Sequence, residues 1–225
     1  MNINDIKIDN PAQGIYIYRN TLSKDLDLVN RLENVIDKNQ DGWFKWSGAL
    51  VGDRESIPDY RDCVDFKVKK SDFDINPKAN SSDLKNIYFE IDERLQICLN
   101  HYCSLYNIKM DYQEAVNFVK YGTGQHFQVH SDHGFSYVCT VSTVMYLNDN
   151  YVGGGLYFPY FNYTYTPEEG DIVLFPSTFI YAHAALPVEE GIKYAAVTMF
   201  DYNERAHAPQ PPARYDLNKP YSKNN

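Results

Sequence analysis

Four side chains in this 225-residue chain could share one piece of chemistry: His130, Asp132, His183 and Lys193. His130 and Asp132 stand two apart in a stretch, HFQVHSD, that reads as a strand, where residues i and i+2 share a face with Cα atoms about 7 Å apart. Both can then reach one metal ion. A third donor has to come from another strand, and His183, in an apolar run after the turn Pro167-Glu168-Glu169-Gly170, is the candidate. Two imidazoles and one carboxylate, leaving the other coordination positions open, suit a non-heme Fe(II). Lys193 begins a further β-like run, KYAAVTMF. An ammonium buried there is costly without an anion, and an acidic co-substrate would supply one. Taken singly, each residue has a bland reading: His-x-Asp is frequent by chance, and a lone histidine more often satisfies a core or a loop.

Counting more residues sharpens the pattern. Tyr121 with Gly124-Gln125, His130-x-Asp132, Tyr146-Leu147-Asn148, Gly153-Gly154, Phe158-Pro159, Pro167 with Gly170, Leu174-Phe175, His183, Pro187-Val188, Gly191 and Lys193 follow one another over a bit more than a third of the chain. In that order and spacing the segment resembles the catalytic core of the prolyl 4-hydroxylase branch of the 2-oxoglutarate and Fe(II)-dependent dioxygenases. The resemblance implies a double-stranded β-helix, or jelly roll. It implies His130, Asp132 and His183 as iron ligands and Lys193 as the cation for the far carboxylate of 2-oxoglutarate. Tyr146 would donate its phenol to that carboxylate, Tyr121 would face the co-substrate, and Thr198, further along the strand of Lys193, would add a contact. The implied cofactors are Fe(II), 2-oxoglutarate and dioxygen, with ascorbate as an accessory. The implied reaction hydroxylates an unactivated C–H bond, foremost that of a prolyl residue in a protein or peptide, while 2-oxoglutarate is decarboxylated to succinate. Leu156-Tyr157 stand where the family often has Glu-Thr, a change at the sheet face near the site, and around Met199 its tryptophan is replaced, a change that bears on substrate packing.

Two other functions remain open on sequence. A hydroxylase of a free amino acid or other small molecule would need a charge partner for its substrate, and Arg54 or Arg61 could serve. A jelly-roll binding protein could keep the fold without oxygenase activity, because fold alone does not establish function. Nucleic-acid demethylation is disfavoured: the net charge of −9 and pI near 5.1 oppose a nucleic-acid or anionic-membrane partner, which calls for a basic face.

The elements that must hold these residues read as an α+β, mainly β chain of one domain over 1–205. A support region, 1–110, precedes a jelly-roll core, 111–202, and an extended proline-containing tail spans 206–225. Leu22, Leu26, Val29, Leu32 and Ile36 form the apolar stripe of a first helix capped by Thr21 or Ser23. Leu84, Ile87, Tyr88, Ile91, Leu95, Cys98, Leu99 and Tyr102 form a broader stripe on a second, which would buttress a sheet. Asn39 to Asp65 is irregular, and its Trp43, Phe44 and Trp46 suit either a substrate lid or a plug over the core. Asn76 to Ser82 reads as a loop. From Tyr112 on, short β-like runs alternate with turn residues, the pattern of a double-sheet jelly roll with helices on one sheet.

The remaining signals are weak or negative. Cys63, Cys98, Cys103 and Cys139 show no metal or CxxC spacing and read as buried thiols of a cytoplasmic protein. The first ten residues, MNINDIKIDN, lack a signal-peptide pattern, and no apolar run approaches the length of a membrane span. His126 and His133 lie near the key segment without the geometry to join it, and the glycines around 122–124 and 153–155 lack the companions of a phosphate loop. Oligomeric state leaves no trace in the sequence.

Overall fold

The computed structural model describes residues 1–38, 44–51, 55–134 and 137–207; Trp43, Arg54 and the tail beyond His207 lie outside the described residues. Strands β1 (Ile8–Ala12) and β2 (Ile15–Tyr18) precede helix α1 (Leu28–Lys38). Then come β3 (Ser47–Gly48), β4 (Arg61–Asp62), β5 (Val64–Val68), and helices α2 (Asp72–Ile75), α3 (Pro77–Ser81) and α4 (Asp83–Tyr106). The remaining strands are β6 (Tyr112–Gln113), β7 (Val116–Tyr121), β8 (His126–His130), β9 (Val141–Tyr146), β10 (Val152–Gly153), β11 (Leu156–Phe158), β12 (Tyr163–Tyr165), β13 (Ile172–Pro176), β14 (His183–Ala185), β15 (Val188–Glu190) and β16 (Lys193–Asp201).

Two antiparallel sheets face each other, and β10 and β15 pair in a separate two-stranded ribbon. The larger runs β1-β2-β13-β9-β16-β7-β5-β3, with β6 paired to β16; the smaller runs β12-β11-β14-β8-β4. This is the jelly roll that the run of short strands predicts. Period-two alternation divides each central strand between two cores. On β16, Tyr194, Ala196 and Phe200 point outward and pack with Ile87, Ile91, Leu95 and Leu99 of α4. Ala195 points the other way, joining Val144, Tyr146, Leu156, Phe158 and Phe175 between the sheets. The sheet that carries half of the site is therefore clamped from behind by α4. Leu95 is fully buried in that clamp. Leu95→Ala is expected to remove about 2–5 kcal/mol of stability, seen as a lower urea midpoint at unchanged slope.

One turn shows why its sequence is what it is. Gly170 has φ +88, and a Cβ there would stand 2.2 Å from the Leu22 carbonyl oxygen. The neighbouring Asp171 is buried and accepts hydrogen bonds from Arg19 at 2.9 Å, the Asn20 backbone N–H at 2.8 Å and the Tyr165 hydroxyl. Turn and buried ion pair together fix the start of β13 against β2.

Two expectations need correction, and one left open between a lid and a plug is settled. The first amphipathic stripe is broken: Lys24–Leu26 forms a short 3-10 turn capped by Ser23, and Asp27 is left-handed at φ 48 before α1 begins. The face α1 buries is consequently Leu28, Leu32 and Val35. Asn76–Ser82 is not a loop but holds α3, because Pro77 takes the first helical position and the Asn76 side chain accepts from the N–H groups of Lys78 and Ala79. Phe44 and Trp46 pack on the helix side of the large sheet, against Phe66 at 6.2 and 5.0 Å, with the Trp46 indole N–H donating to Glu33 at 3.2 Å. They are a plug, remote from the cleft.

Candidate active site

Between the sheets lies a cleft of about 600 Å3 with His130, Asp132, His183, Lys193, Tyr121 and Tyr146 in its lining. Strand pairing creates the first of these meetings. β8 ends on His130, β14 begins on His183, and the two are directly opposed in the antiparallel register. Their ring centroids are 4.4 Å apart. Asp132 sits in a bend just past β8 rather than on the strand, as the two-residue spacing alone had suggested. Its Oδ1 lies 3.5 Å from His130 Nε2 and its Oδ2 3.8 Å from His183 Nε2. One atom from each of the three falls within 4.8 Å of the others.

The protonation pattern follows from the partners. His130 Nδ1 is 2.8 Å from the Gln128 carbonyl oxygen, and His183 Nδ1 is 3.1 Å from that of Tyr181. A carbonyl only accepts, so each Nδ1 donates and each Nε2 presents its lone pair to the centre. Burial pushes His183 down to about 4, keeping the ring neutral. Burial alone would raise the Asp132 carboxyl, but facing His183 and His130, with Ser142 as a further hydrogen-bond partner, it is held well below the usual carboxylate range. Two imidazoles and one carboxylate around a common point are a donor set for a divalent transition metal. Fe(II) fits it.

The far end of the cleft suits an anion. Lys193 is 2 % exposed; its Nζ donates to the Gly154 carbonyl at 2.6 Å and sits 5.3 Å from the ring centroids of both Tyr121 and Tyr146. Burial pushes the amine down to about 7. Gly154, at φ +62, makes that approach possible, since a Cβ there would meet Tyr151 at 3.0 Å and Lys193 at 3.2 Å. The hydroxyl of Tyr146 is buried with no hydrogen-bond partner among the described residues. A carboxylate reaching both groups would satisfy the phenol and restore the charge on the amine, so the residues present fit an acidic co-substrate. Tyr146→Phe isolates half of this. The apo protein is expected to stay as stable or gain up to about 2 kcal/mol, because a buried unpaired hydroxyl disappears. The KM for 2-oxoglutarate should rise about tenfold, one ordinary hydrogen bond.

Tyr121 lines the cleft, its ring centroid 5.3 Å from Lys193 Nζ. Thr198 is a correction: it stands an odd number of residues from Lys193 on an unbroken strand, so it points to the helix side, where its hydroxyl donates to the Glu114 carbonyl at 2.9 Å. His133 bonds the Cys139 carbonyl at 2.7 Å, and His126 lies 3.4 Å from the carbonyls of Gly124 and Asp59; neither joins the centre. All four cysteines are free and buried. Sequence reasoning missed Phe127, stacked on His130 at 3.6 Å, and the two carbonyls that orient the histidines. Backbone acceptors carry no residue-type signal, and Phe127, three residues from His130, reaches its ring only through the register shift between β8 and β14.

A jelly roll with two histidines and a carboxylate facing a buried lysine across its interior defines a metal-dependent oxygenase scaffold. Residues 116–201 match the model of the 2OG-Fe(II) oxygenase superfamily. No curated protein sequence matches the chain. Among solved structures, a prolyl hydroxylase from Trichoplax adhaerens, in complex with a peptide fragment of the hypoxia inducible factor oxygen degradation domain, is 20 % identical with a TM-score of 0.69, covering 88 % of this chain and 89 % of that one. A viral collagen prolyl hydroxylase from Paramecium Bursaria Chlorella virus-1, in a 2OG complex, is 18 % identical with a TM-score of 0.61, covering 84 % and 96 %. A prolyl-4-hydroxylase from Pseudomonas putida is 18 % identical with a TM-score of 0.61, covering 83 % and 92 %. At these identities the likeness is one of fold. No helix among the described residues is long and apolar enough to cross a membrane.

Proposed function

We propose that the chain is a 2-oxoglutarate- and Fe(II)-dependent hydroxylase of prolyl residues in a protein or peptide. The observation that carries this reading is the meeting, in one cleft, of the His130–Asp132–His183 trio with Lys193 and the unpartnered Tyr146 hydroxyl. In this reading His130, Asp132 and His183 hold the iron, their rings kept in place by the Gln128 and Tyr181 carbonyls. Lys193 and Tyr146 take the far carboxylate of 2-oxoglutarate, and the Tyr121 ring supports the ammonium from below. Bound iron and 2-oxoglutarate would supply the oxidising power that inserts one oxygen atom of dioxygen into a C–H bond. The protein positions the reactants and excludes water through the apolar wall of Val144, Leu156, Ala195 and Val197.

A peptide suits the shape of the cleft. Lys193 and Met199 both line it from the same strand, and six residues of strand extend about 20 Å. That is far longer than a co-substrate and one small molecule need. The Trichoplax enzyme, whose fold this chain shares, holds a peptide fragment. Of the two charge partners named for a small-molecule substrate, Arg54 lies outside the described residues, and Arg61 lines the cleft while donating to Asp65 at 2.8 Å and to the Leu50 carbonyl at 2.9 Å.

The test is incubation of the purified chain with Fe(II), 2-oxoglutarate, ascorbate and proline-rich peptides. The expected result is a singly oxygenated prolyl residue with an equivalent of succinate. Succinate without peptide oxidation would overturn the prolyl assignment alone. Failure to develop a visible charge-transfer band when Fe(II) and 2-oxoglutarate are added without oxygen would overturn the roles assigned to the trio and Lys193.

A further inference from the structure

Asp132 is the member of the trio that no strand holds. His130 and His183 take their places from the pairing of β8 with β14. Asp132 comes two residues after the last paired position, and residues 132–134 form a bend. Its carboxylate nevertheless has to face two imidazoles, at 3.5 and 3.8 Å.

The residues on either side of Asp132 fix the bend. The Ser131 hydroxyl donates to the Ser177 carbonyl at 3.1 Å, and the His133 backbone N–H donates to the same oxygen at 2.9 Å. Both neighbours of Asp132 therefore end on one atom. The Ser131 hydroxyl is also 2.9 Å from the His133 carbonyl, so its single proton is shared between two acceptors and closes the bend on itself. The anchor at the other end is well held. Ser177 is 1 % exposed, its N–H donates to the Thr140 carbonyl at 3.0 Å, and its hydroxyl lies 2.8 Å from that of Ser142 on β9. It directly follows β13, in the connection that leads to β14 and its first residue, His183. A further hold on the bend comes from the ring of His133, whose Nδ1 is 2.7 Å from the Cys139 carbonyl oxygen.

A carboxylate already in position needs no ordering when a metal arrives, whereas one on a free bend must first lose chain and rotamer freedom. Of the two hydrogen bonds to the Ser177 carbonyl, only the one from Ser131 depends on a side chain. We propose that Ser131 is a positioning residue for Asp132: its hydroxyl, with the His133 N–H, fastens the bend to Ser177 and keeps the carboxylate facing the two imidazoles. This rests on the reading of the trio as metal ligands and adds to it a residue that does not touch the ion. Ser131 also lines the cleft, where contact with a substrate would be a different role. Metal binding without any substrate separates the two.

The experiment measures binding of Mn(II), which needs neither dioxygen nor turnover, by calorimetry on the wild-type chain and on Ser131→Ala, Ser131→Thr and Asp132→Ala. Ser131→Ala is expected to weaken Mn(II) binding about tenfold, the low end for losing a partner that orients a metal ligand. Ser131→Thr keeps the hydroxyl and should bind within about twofold of wild type. Metal-free Ser131→Ala should keep its circular dichroism, and its unfolding midpoint should fall by no more than one ordinary hydrogen bond accounts for. Wild-type affinity in Ser131→Ala overturns the proposal, as does a loss that Ser131→Thr shares. A loss accompanied by altered circular dichroism of the metal-free protein also overturns it, because Ser131 would then support the fold at large. Asp132→Ala keeps the two readings apart. If it binds Mn(II) as wild type does, the trio reading itself fails; if it loses binding while Ser131→Ala does not, only the role of Ser131 falls.

Discussion

Asp132→Ala is expected to weaken Fe(II) binding about 10²- to 10³-fold and to reduce 2-oxoglutarate turnover at least as much. Asp132 is the one anionic member of the trio, and Nε2 of each histidine faces its carboxylate. Bringing a divalent cation into a buried site without that counter-charge forfeits on the order of 3–5 kcal/mol, which sets the size of the loss. The two imidazoles left behind are not a source of misfolding: burial already holds His183 neutral, with a pKa of about 4, and the carbonyls of Gln128 and Tyr181 still fix both rings. Circular dichroism and the unfolding midpoint should therefore change far less than metal affinity. His130→Ala should be as inactive, and the double variant hardly worse than either, because ligands of one ion act as a unit. Anaerobic titration with Fe(II) and 2-oxoglutarate measures affinity; succinate release measures turnover. A variant that binds Fe(II) as wild type does would remove Asp132 from the coordination sphere.

Lys193→Met separates co-substrate binding from everything else. The methionine fills similar space between the Tyr121 and Tyr146 rings without a charge. Losing the buried cation should raise the KM for 2-oxoglutarate about 10²- to 10³-fold, the 2–5 kcal/mol range for truncating one side of a buried ion pair. Fe(II) affinity should hold. The pH dependence adds a signature. The folded amine titrates near 7, whereas the unfolded one titrates near 10.4. Between those values the unfolded chain binds the extra proton, so this group makes stability rise with pH across the window, and the variant should lose that slope. Binding a carboxylate requires the charged amine. Above about pH 7 association must take up a proton, and the wild-type KM should climb by up to tenfold per pH unit. In Lys193→Met the KM should be flat over the same range.

The trio of His130, Asp132 and His183 illustrates how sequence and structure divide the information. Close spacing announces the pairing of His130 with Asp132, and alternation gives β7, β9, β13 and β16 their inward and outward faces, because both are local properties of the backbone. The stripe of α4 is equally local, and every residue in it is buried. Thr198 also lay within reach of that logic: parity alone puts it on the face away from Lys193. The trio's third member is different. His183 faces His130 only because β14 pairs with β8 in one register, and a slip of one residue would turn the imidazole out of the cleft.

Tertiary structure likewise decided which side of the large sheet received Phe44 and Trp46. It paired Arg61 with Asp65 at the cleft wall, and it broke the first helical stripe at Asp27. It aimed both histidines through main-chain carbonyls, which no side-chain identity reveals. Periodicity and short spacings are written in neighbouring residues. Strand register, burial and the choice among hydrogen-bond partners arise from contacts between segments far apart in the chain, and those exist only once the two sheets have closed on each other.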